Sequence, residues 1–139
     1  MASQRVIEIE SRYCGPPGVG NGGIVCAILA DHCGPSLEVT LRRPAPLERP
    51  MTVRADAADG VFALVHGETT VALGRRAAIE LDVPVMPGWA ETLAAGRRAA
   101  AAPHPFPHCF VCGPARGEGD GLRALAGPVP GRPGLFAAP

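Results

Sequence analysis

The sequence predicts an α+β domain in which an antiparallel sheet wraps around one buried helix. Two observations carry this. A single apolar run, Gly23–Cys33, has helical spacing. It follows one alternating segment and precedes four more, between Ser36 and Val83, whose apolar residues recur at every second position. No second helical run separates those strands, so the crossovers that a parallel sheet needs are missing.

The elements follow in order. Over Arg5–Tyr13, Ile7 and Ile9 alternate with Glu8 and Glu10, which predicts a half-buried strand. Residues 14–21 are a Gly/Pro loop. The helix carries Ile24, Val25, Ile28 and Leu29, with Ala27 and Ala30 between them. Almost no face of it is polar, so burial on most sides is expected, and Gly34-Pro35 ends it. Leu37, Val39 and Leu41 then alternate with Glu38, Thr40 and Arg42 until Pro44 and Pro46. Met51, Val53 and Ala55 alternate with Thr52, Arg54 and Asp56. Asp59-Gly60 signals a hairpin, Val61–His66 the next strand, Gly67-Glu68 the next turn, and Thr69–Val83 a long last strand.

These elements delimit a domain at residues 1–83. Residues 84–103 read as a proline-punctuated linker with a surface helix over Trp89–Ala102. Residues 104–139 read as an irregular arm, with eight Pro and seven Gly from position 103 onward and weak strand signals at Gly121–Leu125 and Leu135–Ala138.

Composition narrows the function. The 139 residues are 47% apolar but 4% aromatic, so the core is built from Ala, Val, Leu and Ile. Thirteen cations balance thirteen carboxylates, which argues against a nucleic-acid partner. Every cation is Arg, in a chain rich in Ala, Gly and Pro, so Arg pairs carry little functional weight. The N-terminus lacks the apolar core of a secretory signal, and no apolar run approaches the roughly 20 residues of a membrane span. Five cysteines without a signal read as free thiols. A cytoplasmic protein without membrane or nucleic-acid partners is expected.

Gly18-Val19-Gly20-Asn21-Gly22-Gly23 matches G-x-G-x-x-G, and Glu38 lies where an acid binds a ribose hydroxyl. The context disfavours a dinucleotide site: four residues, Cys14 to Pro17, separate strand from motif, and strands rather than crossovers follow. A P-loop needs Lys, which the chain lacks. Cys109-Phe110-Val111-Cys112, near His104 and His108, raises zinc or redox chemistry. All four candidates fall within nine residues, whereas structural zinc takes two separated pairs. Zinc would need Cys14, Cys33 or His66 as well. A redox pair opens a helix, and here Gly113-Pro114 follows; the alternative is that the two cysteines are small, half-buried side chains.

The stretches NGGIVCAILA (21–30), LEVTLRRPAPL (37–47) and MTVRADAADGVFALVHGETTVALGRRA (51–77) resemble the hotdog-fold acyl-CoA thioesterase superfamily. The likeness lies in the Asn-Gly-Gly helix start, a strand ending in Arg-Pro and two further hairpin strands, and it covers residues 6–83. CFVCGPARGEGDGLR (109–123) is similar to a Cys-x-x-Cys-Gly segment that opens many domains of that superfamily, so the arm reads as the opening of a second hotdog unit.

The resemblance implies a hotdog fold and hydrolysis of an acyl thioester by activated water. It implies no metal, and no cofactor beyond a coenzyme A thioester as substrate. Gly22 and Gly23 would let the thioester carbonyl approach the helix amides, an oxyanion hole. Asn21 either caps the helix or orients carbonyl or water. Asp31, the only carboxylate on the helix, is the candidate general base. It stands about one residue later than the family spacing, a rotation of about 100°, and alternatively is a surface residue beside His32.

Tyr13 either bonds near the loop or packs. Arg42 and Arg43 either meet coenzyme A phosphates or are solvated, with Arg43 retained as a substrate-binding candidate. Cys26 and Cys33 read as small core residues and His66 as a turn-edge residue. One such sheet leaves an apolar face and an edge, which predicts a homodimer with the ligand between the helices. A non-catalytic acyl-thioester-binding or assembly subunit is the alternative. A hotdog dehydratase would want a His general base where Asn21 stands.

Overall fold

In the computed structural model, residues 6–34, 36–56 and 60–139 are described, with Asp56 described in its main chain only. The expected Asp59 of the hairpin signal, Arg5 at the start of the first strand, and Pro35 lie outside the described residues. The chain divides into two compact units, Met1–Cys14 with Gly18–Leu81, and Gly15–Pro17 with Asp82–Pro139.

The first unit is α+β. Its elements are β1 (Val6–Ile7), a 3₁₀ turn (Ser11–Tyr13), α1 (Gly22–Cys33), β2 (Leu37–Leu41), β3 (Met51–Asp56), β4 (Val61–His66) and β5 (Thr69–Arg76). The strands form one antiparallel sheet in the order β1-β3-β4-β5-β2. The consecutive hairpins β3-β4-β5 make its middle. The loop containing α1 carries the chain from one edge to the other, so β1 and β2 are the outer strands. α1 lies against β2, β4 and β5. This is the sheet-and-helix architecture that the resemblance implies.

The core is aliphatic, as composition requires: Ile9, Val25, Leu29, Ala45, Met51, Leu64, Val71 and Ala72 form one buried cluster. Gly74 of β5 faces this cluster, and a Cβ there would meet Leu29 Cδ1 at 3.6 Å, an ordinary van der Waals contact.

Three details differ from the pattern-based expectation. The first strand is short: its ladder holds Val6↔Thr52 and Ile7↔Met51, and Ser11–Tyr13 turns into 3₁₀ helix. The alternation persists beyond the ladder, with Ile9 buried between exposed Glu8 and Glu10. The last strand stops at Arg76 rather than Val83, because its partners end: Arg76 pairs with Leu37, the first residue of β2, and Arg75 with Val61, the first of β4. Beyond the sheet Ile79, Leu81 and Val83 are 71%, 75% and 77% exposed.

The helix also differs. α1 buries Val25, Leu29 and Cys33, but Gly23, Ala27 and Asp31 lie exposed along another side. That side carries Gly23 and Ala27 before its one charged residue, Asp31, so along most of its length hydrophobicity alone did not distinguish it from a buried face.

In the second unit, α2 (Trp89–Ala101) starts with the Glu91 carboxylate accepting the Gly88 N–H at 2.8 Å. A two-stranded ladder, β6 (Gly127–Pro128) with β7 (Phe136–Ala137), packs near α2. Residues 121–125 form no strand. Gly127 permits the close approach, since a Cβ there would fall on the Ala95 carbonyl.

Candidate functional site

The Gly/Pro loop is shaped by its own glycines. Gly18 turns at φ +74. Gly20 pairs with Cys14 and Val19 with Pro46, and the Gly20 N–H donates to the Ala45 carbonyl at 2.8 Å. A Cβ on Gly20 would lie 2.9 Å from Ile9 Cδ1 and 3.3 Å from Ala45 Cβ, so the loop is packed onto the core there.

This delivers Asn21 to the start of α1 with 9% exposure. Its N–H donates to the Tyr13 carbonyl at 2.9 Å, and its carbonyl accepts the first intrahelical bond from Val25 at 3.1 Å. Its Oδ1 accepts the Gly23 N–H at 2.8 Å. Asn21 is therefore the N-cap, a role in which a short side-chain oxygen replaces a missing helical carbonyl. The helix itself cannot satisfy the N–H groups of its first turn, and the cap takes that of Gly23.

Gly22 and Gly23 leave the approach to this turn without side chains. Gly23 is exposed, and the nearest side-chain atom to a Cβ built on Gly22 is Leu41 Cδ1 at 3.0 Å. The far end of β2 thus lies beside the start of α1. Arg42 and Arg43 follow, both N–H groups donating to the Val71 carbonyl at 2.8 and 3.1 Å and both side chains exposed. Along α1 and β2 runs an apolar groove of about 270 Å³ lined by Cys26, Ala27, Ala30, Leu37 and Val39.

The structure thus brings Asn21, Gly22, Gly23 and the Tyr13 main chain together, with Arg43 two residues beyond Leu41. Tyr13 itself packs against the core with the Arg12 guanidinium 5.2 Å from its ring centre. Asp31 is not part of this group. It is exposed in the last turn of α1, about 12 Å along the axis from Gly23. His32 beside it bonds the Ile28 carbonyl through Nδ1 at 2.8 Å.

Leu41 and the α1–β2 groove were missed in the sequence. Their trace was the small residues Ala27 and Ala30 of α1 beside the alternating Leu37, Val39 and Leu41 of β2. Cys26 lines the groove, while Cys33 is buried, and burial raises its thiol pKa against the opposing pull of Arg76. His66 Nδ1 donates to the Pro50 carbonyl at 3.0 Å, as a turn-edge residue would. Among the described residues, no group of three or more His, Cys, Asp or Glu comes together to hold a metal ion. The antiparallel sheet rules out the βαβ context that G-x-G-x-x-G requires. Its glycines serve a turn, a packing contact and the helix start.

The chain is similar to one thioesterase superfamily protein of known crystal structure. The two are 24% identical, with a TM-score of 0.42 over 51% of this chain and 45% of that one. The matched part thus spans less than half of that protein's length. No family model matches the chain and no curated protein does. Among the described residues no helix is long and apolar enough to cross a membrane.

Proposed function

We infer that the first unit binds an acyl thioester at the start of α1 and is a thioesterase-like hydrolase of the acyl-CoA or acyl-carrier class. The observation that carries this reading is the Asn21-capped helix start, with two positions free of side chains, one helical turn before Cys26 of the α1–β2 groove. A thioester carbonyl set against Gly22 and Gly23 meets the positive end of the helix dipole. Negative charge that develops on its oxygen during attack by water is stabilised there, and losing such a donor costs about 3 kcal/mol. The acyl chain follows the apolar groove past Ala27 and Ala30. Arg43 stands where a phosphate of coenzyme A would gain from a guanidinium.

Asn21 acts in this scheme by holding the amides in place. In this reading Asp31 is the water-activating base, and since it lies about 12 Å along the axis from Gly23 within one chain, the role calls for a site shared by two copies. A homodimer facing α1 to α1 is therefore part of the reading.

One observation favours a second reading, a non-catalytic acyl-thioester-binding subunit: the only carboxylate on α1 is about 12 Å along the axis from Gly23. Release of free thiol from a panel of short, long and aromatic acyl-CoAs decides between them, measured for wild type, Asn21→Ala and Asp31→Ala and corrected for the protein's own cysteines. Hydrolysis by wild type with a loss of about a hundredfold or more in Asp31→Ala supports the first. Equal activity in Asp31→Ala removes Asp31 from the mechanism. Saturable binding without turnover supports the second.

A further inference from the structure

Cys109 and Cys112 belong to the second unit and take no part in the thioester site. They sit on one turn of main chain. The Cys109 N–H donates to the Phe106 carbonyl at 2.9 Å, and the Gly113 N–H donates to the Cys109 carbonyl at 2.8 Å. The turn has no slack, because a Cβ on Gly113 would lie 2.5 Å from the carbonyl oxygens of both Cys109 and Pro107. The two residues between the cysteines are tied down as well. Leu122 N–H donates to the Phe110 carbonyl at 2.8 Å and Ala124 N–H to that of Val111 at 2.7 Å.

Arg116 closes the other flank with a side chain only 8% exposed. Its Nε donates to the His108 carbonyl at 2.8 Å, its Nη1 pairs with Asp120 at 3.0 Å, and its guanidinium carbon lies 5.7 Å from the Phe110 ring centre. Gly121 makes room for it: at φ +95, a Cβ there would sit 2.6 Å from Arg116 Cδ. The backbone that carries the two cysteines is thus pinned on both sides, and the bond from the Gly113 N–H to the Cys109 carbonyl sets Cys109 and Cys112 three residues apart on a single turn.

The pair opens no helix, the setting that lowers a thiol pKa for rapid attack, so what the turn offers is an exchange equilibrium and not fast catalysis. We propose that Cys109 and Cys112 are a redox-active dithiol that closes reversibly to a disulfide within this turn, in exchange with a low-molecular-weight disulfide. Both are thiols in the structure. Cys109 is 5% exposed and Cys112 is partly exposed, which sets the order of events. The Cys112 thiol loses its proton to solvent and attacks one sulfur of the incoming disulfide. That S–S bond breaks, and one small thiolate leaves and takes up a proton. Cys109 then loses its proton and attacks the Cys112 sulfur, expelling the second small thiolate, which is protonated in turn. Two cysteine thiols are oxidised and one small disulfide is reduced to two thiols. Burial, then the neighbouring Cys109, holds the Cys112 thiol above its ordinary range. Exchange is therefore slow, and the pair is read by its equilibrium rather than by rapid turnover.

The test equilibrates the full chain with mixtures of reduced and oxidised glutathione, quenches with acid, alkylates, and maps peptides by mass. Cleavage at Arg98 and Arg116 leaves both cysteines on one peptide, residues 99–116. The expected result is that this peptide loses two hydrogens and escapes alkylation. Cys109→Ser should accumulate a mixed disulfide with glutathione at Cys112. In urea the same ring closure should be disfavoured by about tenfold or more against glutathione, because the turn no longer holds the thiols together. Failure of the peptide to oxidise in fully oxidised glutathione overturns the proposal, as does glutathione on both cysteines without closure. So does an equal constant in native and unfolded chain, a comparison that needs only wild type and stands even where the serine variant does not fold.

Discussion

Asn21 and Gly22 are adjacent, yet their substitutions separate stability from binding. Asn21→Ala removes the Oδ1 that accepts the Gly23 N–H and should cost about 1 kcal/mol, a fall of several degrees in Tm by thermal melting. Gly22→Ala should leave Tm unchanged or slightly higher, since Ala is the better helix former by about 1 kcal/mol in a helix interior. The one close neighbour, the end of the Leu41 side chain, is itself 52% exposed and able to swing aside. If the helix start holds a carbonyl, Gly22→Ala weakens acyl-thioester binding in a titration while the fold is intact. At the same scale, burial raises the Cys33 thiol pKa and the nearby Arg76 only partly opposes it. Alkylation of Cys33 near neutral pH should lag well behind that of a free small-molecule thiol and catch up on mild denaturation.

α1 is held to the sheet by few residues, and Leu29, with no exposed surface, lies at their centre. Leu29→Ala should cost about 2–5 kcal/mol, read by urea unfolding. The chain after β1 is held to the chain after β2 by hydrogen bonds between Ile9, Ser11 and Glu48. The Glu48 N–H donates to the Ile9 carbonyl at 2.9 Å, and its Oε1 accepts the Ser11 N–H at 2.6 Å. The bond from Ser11 depresses the Glu48 pKa. A depressed carboxylate stabilises the fold above its unfolded pKa, about 4.3, and that contribution is lost as pH falls through the lower folded value. Melting temperatures measured from pH 7 to pH 3 should therefore fall less steeply on the acid side in Glu48→Gln than in wild type. The periodicity of β3, β4 and β5 was legible in the sequence because each turns one face to the buried aliphatic cluster, with Met51, Leu64, Val71 and Ala72 in it. The end of β5 was not, since Ile79, Leu81 and Val83 continue the same alternation after the partner strands have stopped.

At the scale of the whole molecule, the proposed thioester site is complete only in a pair of chains. Sedimentation velocity should then show a dimer dissociating on dilution, with a Tm that rises with protein concentration. A single species at monomer mass across the concentration range would leave Asp31 without access to the helix start and would favour the binding-only reading. The exposed side of α1, running from Gly23 through Ala27 to Asp31, is the surface such a pair would cover.

The order of elements, the aliphatic core and the Asn-Gly-Gly helix start were determined by the sequence alone. Each depends on interactions within a few residues: alternation in a strand, a cap at a helix end, a turn that glycine permits. What only the tertiary structure decided depends on distant neighbours. It placed Leu41 against Gly22 and ended β5 where β2 and β4 begin. It also packed Arg116 against the turn that carries Cys109 and Cys112. None of these has a local signature, because each is fixed by which segment the chain's packing carries alongside another.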